Sequence, residues 1–195
     1  MARHNYESFD ADVTMFIAMS ATNTRTVADS VRAPAEGPNV EAALLIQAAG
    51  QPLCLLASQV EQVRAAVQVT PLPGAPGLIE GVVRLGAEIV PVLDGRRRLG
   101  IAHRDVATAD HFVIVRARGK KLAIHVDSAG GLVQVPRADI EAAVSLRMSV
   151  FGCAGIARLK GGMFLVHDTD ALLSPHENAR LLTALAPLQS PGYAA

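Results

Sequence analysis

The stretch "GVVRLGAEIVPVLDGRRRLG", residues 81–100, holds two apolar runs separated by Gly86-Ala87-Glu88, then an Asp followed by three arginines. β-Branched runs on either side of a glycine predict a strand, a tight turn and a second strand. A related phrase, "GIARLKGGMFLVHDTDALL", occupies residues 155–173. At a constant offset of 74, with no gap, Gly81 aligns with Gly155, Arg84 with Arg158, Leu85 with Leu159, Val92 with Val166, Asp94 with Asp168 and Leu99 with Leu173. Repetition over this length predicts one supersecondary unit used twice. Asp94 and Asp168 each close a strand and precede a few residues at helical spacing. Both are therefore expected to accept hydrogen bonds from the first free N–H groups of a helical turn, with no catalytic role.

Working outward, "EAALLIQAAGQPLCLLAS" (41–58) and "HFVIVRARGKKLAIHVDS" (111–128) each read as a hairpin turning at Gly50 or Gly119. One further strand per half is expected, at about Val60–Val69 and Gly130–Pro136. Five short strands per half and no long helix between them predict an all-β fold of two five-stranded antiparallel barrels. The expected limits are about 42–105 for the first barrel and 106–174 for the second. "TPLPGAPG" (70–77) cannot donate regularly to a ladder and should cross between strands in extended form. After Ser174, a Pro at the first helical position and Glu177 three residues past the cap predict a C-terminal helix over 175–186, docked through Ala179, Leu182 and Ala186 with Leu181 and Leu185 adjacent. Residues 1–39 lack sustained periodicity and end in the linker "RAPAEGPN"; they form an N-terminal extension with a short helix expected around 10–31, and the body is 40–195.

Composition narrows the function. Half of the 195 residues are apolar, net charge is zero, aromatics make up 4% and Trp is absent. Neither a basic nucleic-acid footprint nor an acidic disordered chain fits those values. No apolar run approaches the roughly 20 residues of a membrane span, and Glu7, Asp10 and Asp12 ahead of Val13–Met19 make a poor secretory signal, so a cytoplasmic location is expected. Cys54 and Cys153, the two cysteines, read as buried reduced thiols.

No P-loop, G-x-G-x-x-G, G-x-S-x-G or H-E-x-x-H motif occurs. His167, Asp168 and Asp170 are the nearest approach to a metal set, but strand alternation puts His167 and Asp168 on opposite faces. His125, inside a strand, reads as a core or interface histidine. His103, Asp105, Asp110 and His111 bracket a polar loop read as solvated. Arg96, Arg97 and Arg98 point in different directions on a helical turn, which suits one arginine reaching a carboxylate better than a nucleic-acid stripe. "VTMFIAM" (13–19) fits either a partner-binding helix or a loosely packed tail. No catalytic, cofactor-binding or metal-ligating residue is expected.

Residues 59–100, "QVEQVRAAVQVTPLPGAPGLIEGVVRLGAEIVPVLDGRRRLG", resemble the CheW-like family of chemotaxis coupling proteins, which shows a Pro-rich loop, a G-V-x-N-L-R-G-x-x-V-P-V-x-D-L phrase and a basic helical turn. Gly81, Leu85, Val90, Pro91, Val92 and Asp94 fall on that phrase, and Val126-Asp127 on a later V-D pair; the likeness spans about residues 40–186. The resemblance implies two SH3-like barrels and a non-catalytic adaptor. It further implies coupling of the cytoplasmic tips of methyl-accepting chemoreceptors to the regulatory domain of a CheA-type histidine kinase, with the membrane reached only through the receptors. The apolar groove between barrels is the implied receptor site. By analogy, partner contacts are expected at Val60, Gln62, Ile79, Gly81, Val82, Arg84, Gly86, Arg96 and Val126. The chain departs from the family where N-L-R-G becomes Arg84-Leu85-Gly86-Ala87 and where a third-strand glutamate becomes Gln62. Residues two apart share a strand face, so Arg84 is a candidate to stand in for the arginine replaced by Gly86. Two alternatives remain open: a CheW-like scaffold in a pathway controlling pili, surface sensing or a second messenger, and a ligand-binding or enzymatic protein on the same barrels.

Overall fold

The computed structural model describes residues 40–142, 152–159 and 162–189; the extension 1–39, with its expected helix, lies outside them. Eleven strands form: β1 Val40–Ala48, β2 Gln51–Leu56, β3 Val60–Ala65, β4 Ile79–Leu85, β5 Glu88–Asp94, β6 His111–Ala117, β7 Lys120–Val126, β8 Ser128–Pro136, β9 Ile140–Ala142, β10 Cys153–Leu159 and β11 Gly162–His167. The early hairpins turn in the same way, with positive φ at both Ala49-Gly50 and Arg118-Gly119. That is the type I′ geometry whose twist matches the flanking strands.

The all-β expectation holds, and the pairing refines it. One sheet runs β3-β6-β7-β5-β4 and the other β8-β1-β2-β11-β10-β9. The expected limits, 42–105 and 106–174, therefore do not separate the sheets, because the early hairpins are exchanged. β1-β2 sits with the late strands of the second half, and β6-β7 with β3, β4 and β5 of the first. Each exchanged hairpin joins its host through a parallel pairing, β5 with β7 at Val92–Ala123 and β2 with β11 at Val166–Cys54; all other strand pairs are antiparallel. Parallel neighbours need a long crossover, and the 95–110 segment together with β6 supplies it between β5 and β7. The chain after β3 then bends back, and Thr70 bridges Val82 of β4. β9 follows β8 through a 3-10 turn and pairs with β10 in the same way. These returns bring the outer edges of each sheet around towards closure, which limits the strand edge left open.

The duplication extends to irregularities. The β4-β5 register shifts between Ile79 and Gly81, and the β10-β11 register between Cys153 and Gly155, again 74 residues on. The interiors correspond too. Val83, Val90, Val92, Phe112, Ile114 and Ala123 fill the five-stranded sheet; Ala43, Leu45, Cys54, Ala157, Phe164 and Val166, with Val135, fill the other. Among the described residues each interior holds one Phe, on different strands. Phe112 stands where the second sheet has Ala43, and Phe164 where the first has Val90, so the volumes compensate. Alternate residues of the same strands, including Leu44, Ile46, Leu53, Leu55, Val113, Val115 and Ile124, form a joint core between the sheets. Burial on both faces explains why these strands read as unbroken apolar runs.

The C-terminal helix spans Pro175–Leu185 with a complete capping box between Ser174 and Glu177. Leu181 and Leu185 dock it in the joint core, whereas Ala179 and Ala186 are exposed and Leu182 is half-buried. Of the expected residues the adjacent Leu181 and Leu185, an i, i+4 pair, are the ones that meet the joint core. Arg180 reaches the carbonyls of Gly74 and Ala75 in the Pro/Gly segment at 3.5 and 3.3 Å.

Phe112→Ala should cost about 3–5 kcal/mol in urea unfolding. Adding Val90→Phe, which copies the second sheet's solution, should recover part of that loss.

Candidate functional site

The nine partner-contact candidates separate by burial. Ile79, Val82 and Val126 are 6%, 8% and 1% exposed and belong to the joint core, and Gly81 is also buried. A Cβ at Gly81, where φ is +156°, would lie 2.0 Å from the Thr70 carbonyl oxygen. The glycine therefore admits the returning chain that covers β4. Val60 and Gln62 are half-buried on β3, the outer strand of the sheet, with Val60 packed on the joint core. Arg84 and Gly86 are exposed together at the tip of the β4-β5 hairpin. Gly86 turns at φ +62°, and the Arg84 Nε donates to its carbonyl oxygen at 3.1 Å. The Arg84 guanidinium thus sits over the turn where the family arginine is replaced. Arg96 points inward and pairs with Asp127 at 2.8 Å.

At the opposite end of that hairpin the strand ends hold an ionic network that sequence reasoning missed. His125 on β7 is 3% exposed and has a carboxylate at each ring nitrogen: Glu80 of β4 at 2.7 Å from Nδ1 and Asp110 at 2.9 Å from Nε2. Phe112 meets the imidazole edge-on, with ring centroids 5.7 Å apart. A carboxylate at each ring nitrogen favours the form in which both nitrogens donate. Burial alone would lower the His125 pKa, but the bonds to Glu80 and Asp110 outweigh it and the pKa is raised. Burial likewise works against the Asp110 carboxylate, yet Arg104, the Ala107 N–H and His125 hold its pKa at about 2.

The network continues outward. Arg104 grips Asp110 with two bonds of 2.6 and 2.7 Å and reaches Asp127 at 2.9 Å. Asp127, at the β7-β8 crossing between sheets, also accepts from Arg96 and from the Gly50 N–H of the exchanged hairpin, and its pKa is lowered against the opposing effect of burial. Asp94 caps the Gly95–Arg98 turn through the Arg96 and Arg97 N–H groups, as expected, and its second oxygen lies 2.7 Å from His103 Nδ1. The reading of His103, Asp105, Asp110 and His111 as a solvated loop is corrected in part: His103 and Asp105 are exposed, but His111 is half-buried and Asp110 is 1% exposed. Strand alternation could not reveal this, because the partners come from four separate strand ends.

Ligand atoms of Glu80, Asp94 and His103 lie within 4.8 Å of one another. Each carboxylate is already engaged, Glu80 by His125 and Asp94 by His103 and two backbone N–H groups, so neither is free to ligate. The His167–Asp168–Asp170 set does not converge. Asp168 caps a 3-10 turn through the Asp170 N–H, and burial lowers the His167 pKa. Cys54 and Cys153 are both free; burial, then the neighbouring Cys153, pushes the Cys54 thiol up to about 12.

Paired SH3-like barrels with an exposed hairpin tip and an internally neutralised charge cluster define a scaffold built for contact. The family model of the CheW-like domain matches residues 42–177, and the chain belongs to that family. It is similar to the chemotaxis protein CheW of Rhizobium meliloti, 21% identical over 65% of this chain and 83% of that one. The probable chemotaxis protein CheW of Rhizobium etli is 27% identical over 66% and 84%. In structure it is similar to the scaffolding protein TtCheW from Thermoanaerobacter tengcongensis, with TM-score 0.64, 24% identity, and coverage of 70% of this chain and 94% of that one. No helix among the described residues is long and apolar enough to cross a membrane.

Two outcomes follow. The raised His125 pKa stabilises the fold fully below its ordinary value of 6.5 and is lost as pH rises through the folded value. The stability advantage of wild type over His125→Gln should therefore shrink with rising pH in urea titrations. Gly81→Ala should destabilise by about 1–3 kcal/mol. Gly77→Ala, where a Cβ meets nothing within 4 Å, should be near neutral.

Proposed function

We propose that this protein is a non-enzymatic cytoplasmic adaptor that couples the cytoplasmic tips of chemoreceptors to the regulatory domain of a CheA-type histidine kinase. The observation that carries the reading is the family match over residues 42–177, supported by relatives that are themselves named chemotaxis proteins. Signal passes by binding, and the membrane is reached only through the receptors.

The partner surface is assigned to the exposed Arg84 and Gly86 at the hairpin tip, with the half-buried Val60 and Gln62 along β3. Ile79, Gly81, Val82 and Val126 act from inside by holding β4 and β7 in place. Arg96 acts through Asp127, fixing the crossing between barrels. An exposed arginine at a rim contributes chiefly to association rate and register. The placement of Arg84 over the Gly86 turn supports its role as substitute for the family arginine. The altered Arg84-Leu85-Gly86-Ala87 phrase also favours a second reading, in which the same scaffold serves a non-flagellar chemosensory pathway.

Titration of the full chain with a CheA regulatory domain should give saturable binding. Arg84→Glu should weaken it about tenfold at low salt, with a smaller deficit at high salt. Failure of the wild-type chain to bind any such domain overturns the adaptor reading. Undiminished binding by Arg84→Glu removes the hairpin tip from the contact.

A further inference from the structure

A groove of about 770 Å³ lies between the C-terminal helix and the tips of the β4-β5 and β6-β7 hairpins. Its apolar lining includes Ile89, Leu182, Leu185 and Leu188, and Ile89 is left 39% exposed. Its rim carries Arg84, Arg116, Arg118, Lys120 and Lys121. Three carboxylates answer these five cations: Glu61 pairs with Arg116 at 2.5 Å and with Lys121 at 3.7 Å, Glu88 pairs with Lys121, and Asp170 accepts from the Arg118 backbone N–H. Among the described residues neither Arg84 nor Lys120 has a carboxylate partner, so the rim keeps an excess of positive charge. An apolar trough edged with unneutralised cations fits a segment that is apolar on one face and acidic at its borders.

Such a segment exists in this chain. "NYESFDADVTMFIAM", residues 5–19, has three carboxylates and no Lys or Arg, and holds Tyr6, Phe9 and Phe16 out of the chain's 5 Phe and 2 Tyr. At about 100° per residue, Tyr6, Phe9, Val13, Phe16 and Ile17 fall on one helical face, with Asp10 and Asp12 on its two borders. The residues between Met19 and Val40, if extended, reach roughly 70 Å, well beyond the width of a small domain. We propose that Asn5–Met19 docks in this groove, its aromatic face on the leucines and its carboxylates towards Lys120 and Arg84. The inference goes beyond the adaptor reading and does not rest on it.

The chain has no tryptophan, so Phe16→Trp in the full-length protein gives a single reporter. The docked state predicts blue-shifted emission and weaker acrylamide quenching than in a free peptide of the same segment, with no dependence on protein concentration. Ile89→Asp should shift emission to the solvent-exposed value. Lys120→Glu should do so in part, and adding Asp10→Lys should restore protection. Circular dichroism melts establish that each variant folds; should Ile89→Asp not fold, the Lys120–Asp10 exchange decides alone. Solvent-exposed emission with the groove intact overturns the proposal, as does protection that ignores both groove variants. Protection that falls on dilution assigns the groove to a second copy and overturns it equally.

Discussion

The parallel pairing of β5 with β7, and its counterpart of β2 with β11, is the constraint on which the molecule is built. Through these two ladders each half of the duplicated chain lends its first hairpin to the other half's sheet. Neither half can complete a barrel alone, and the joint core forms only when both exchanges are made. The barrels are therefore one folding unit in spite of their separate interiors. The long-range pairings also raise contact order, which predicts slower folding than a pair of sequential barrels would show.

The two copies have since diverged at their strand ends. In the first, Asp94 caps the helical turn and joins a network of imidazoles and guanidiniums. In the second, Asp168 performs the same capping, but its remaining contact is the Gln59 amide at 3.3 Å, and His167 occupies the place of the buried Leu93. Charge is thus concentrated at the end where the chain crosses from β7 to β8. Asp127 there binds Arg96, Arg104 and the turn of the exchanged hairpin. An ion network at such a junction adds orientation more than net stability, because burying each charge costs nearly what its partner returns.

Burial also decides which parts of the family phrase can touch a partner. Gly81, Val82, Val90, Pro91 and Val92 are drawn into the fold, while Arg84 to Ile89 form the exposed turn between them. A phrase common to a family can therefore be mostly structural.

The sequence by itself determined the local elements. The offset of 74, the glycine turns, the capping aspartates and the Ser174–Glu177 box each depend on residues a few positions apart, and each is found where the pattern puts it. The all-β class and the family resemblance were legible for the same reason. Sheet membership, the burial of Val126 and Ile79, and the Glu80–His125–Asp110 set were decided only by the tertiary structure. Alternation reports that a strand has two faces but not which neighbour covers them, and parallel partners some 30 residues apart leave no mark in local spacing. Where both faces of a strand are buried, a buried ion partner and a leucine in the same strand look alike until the strands are paired.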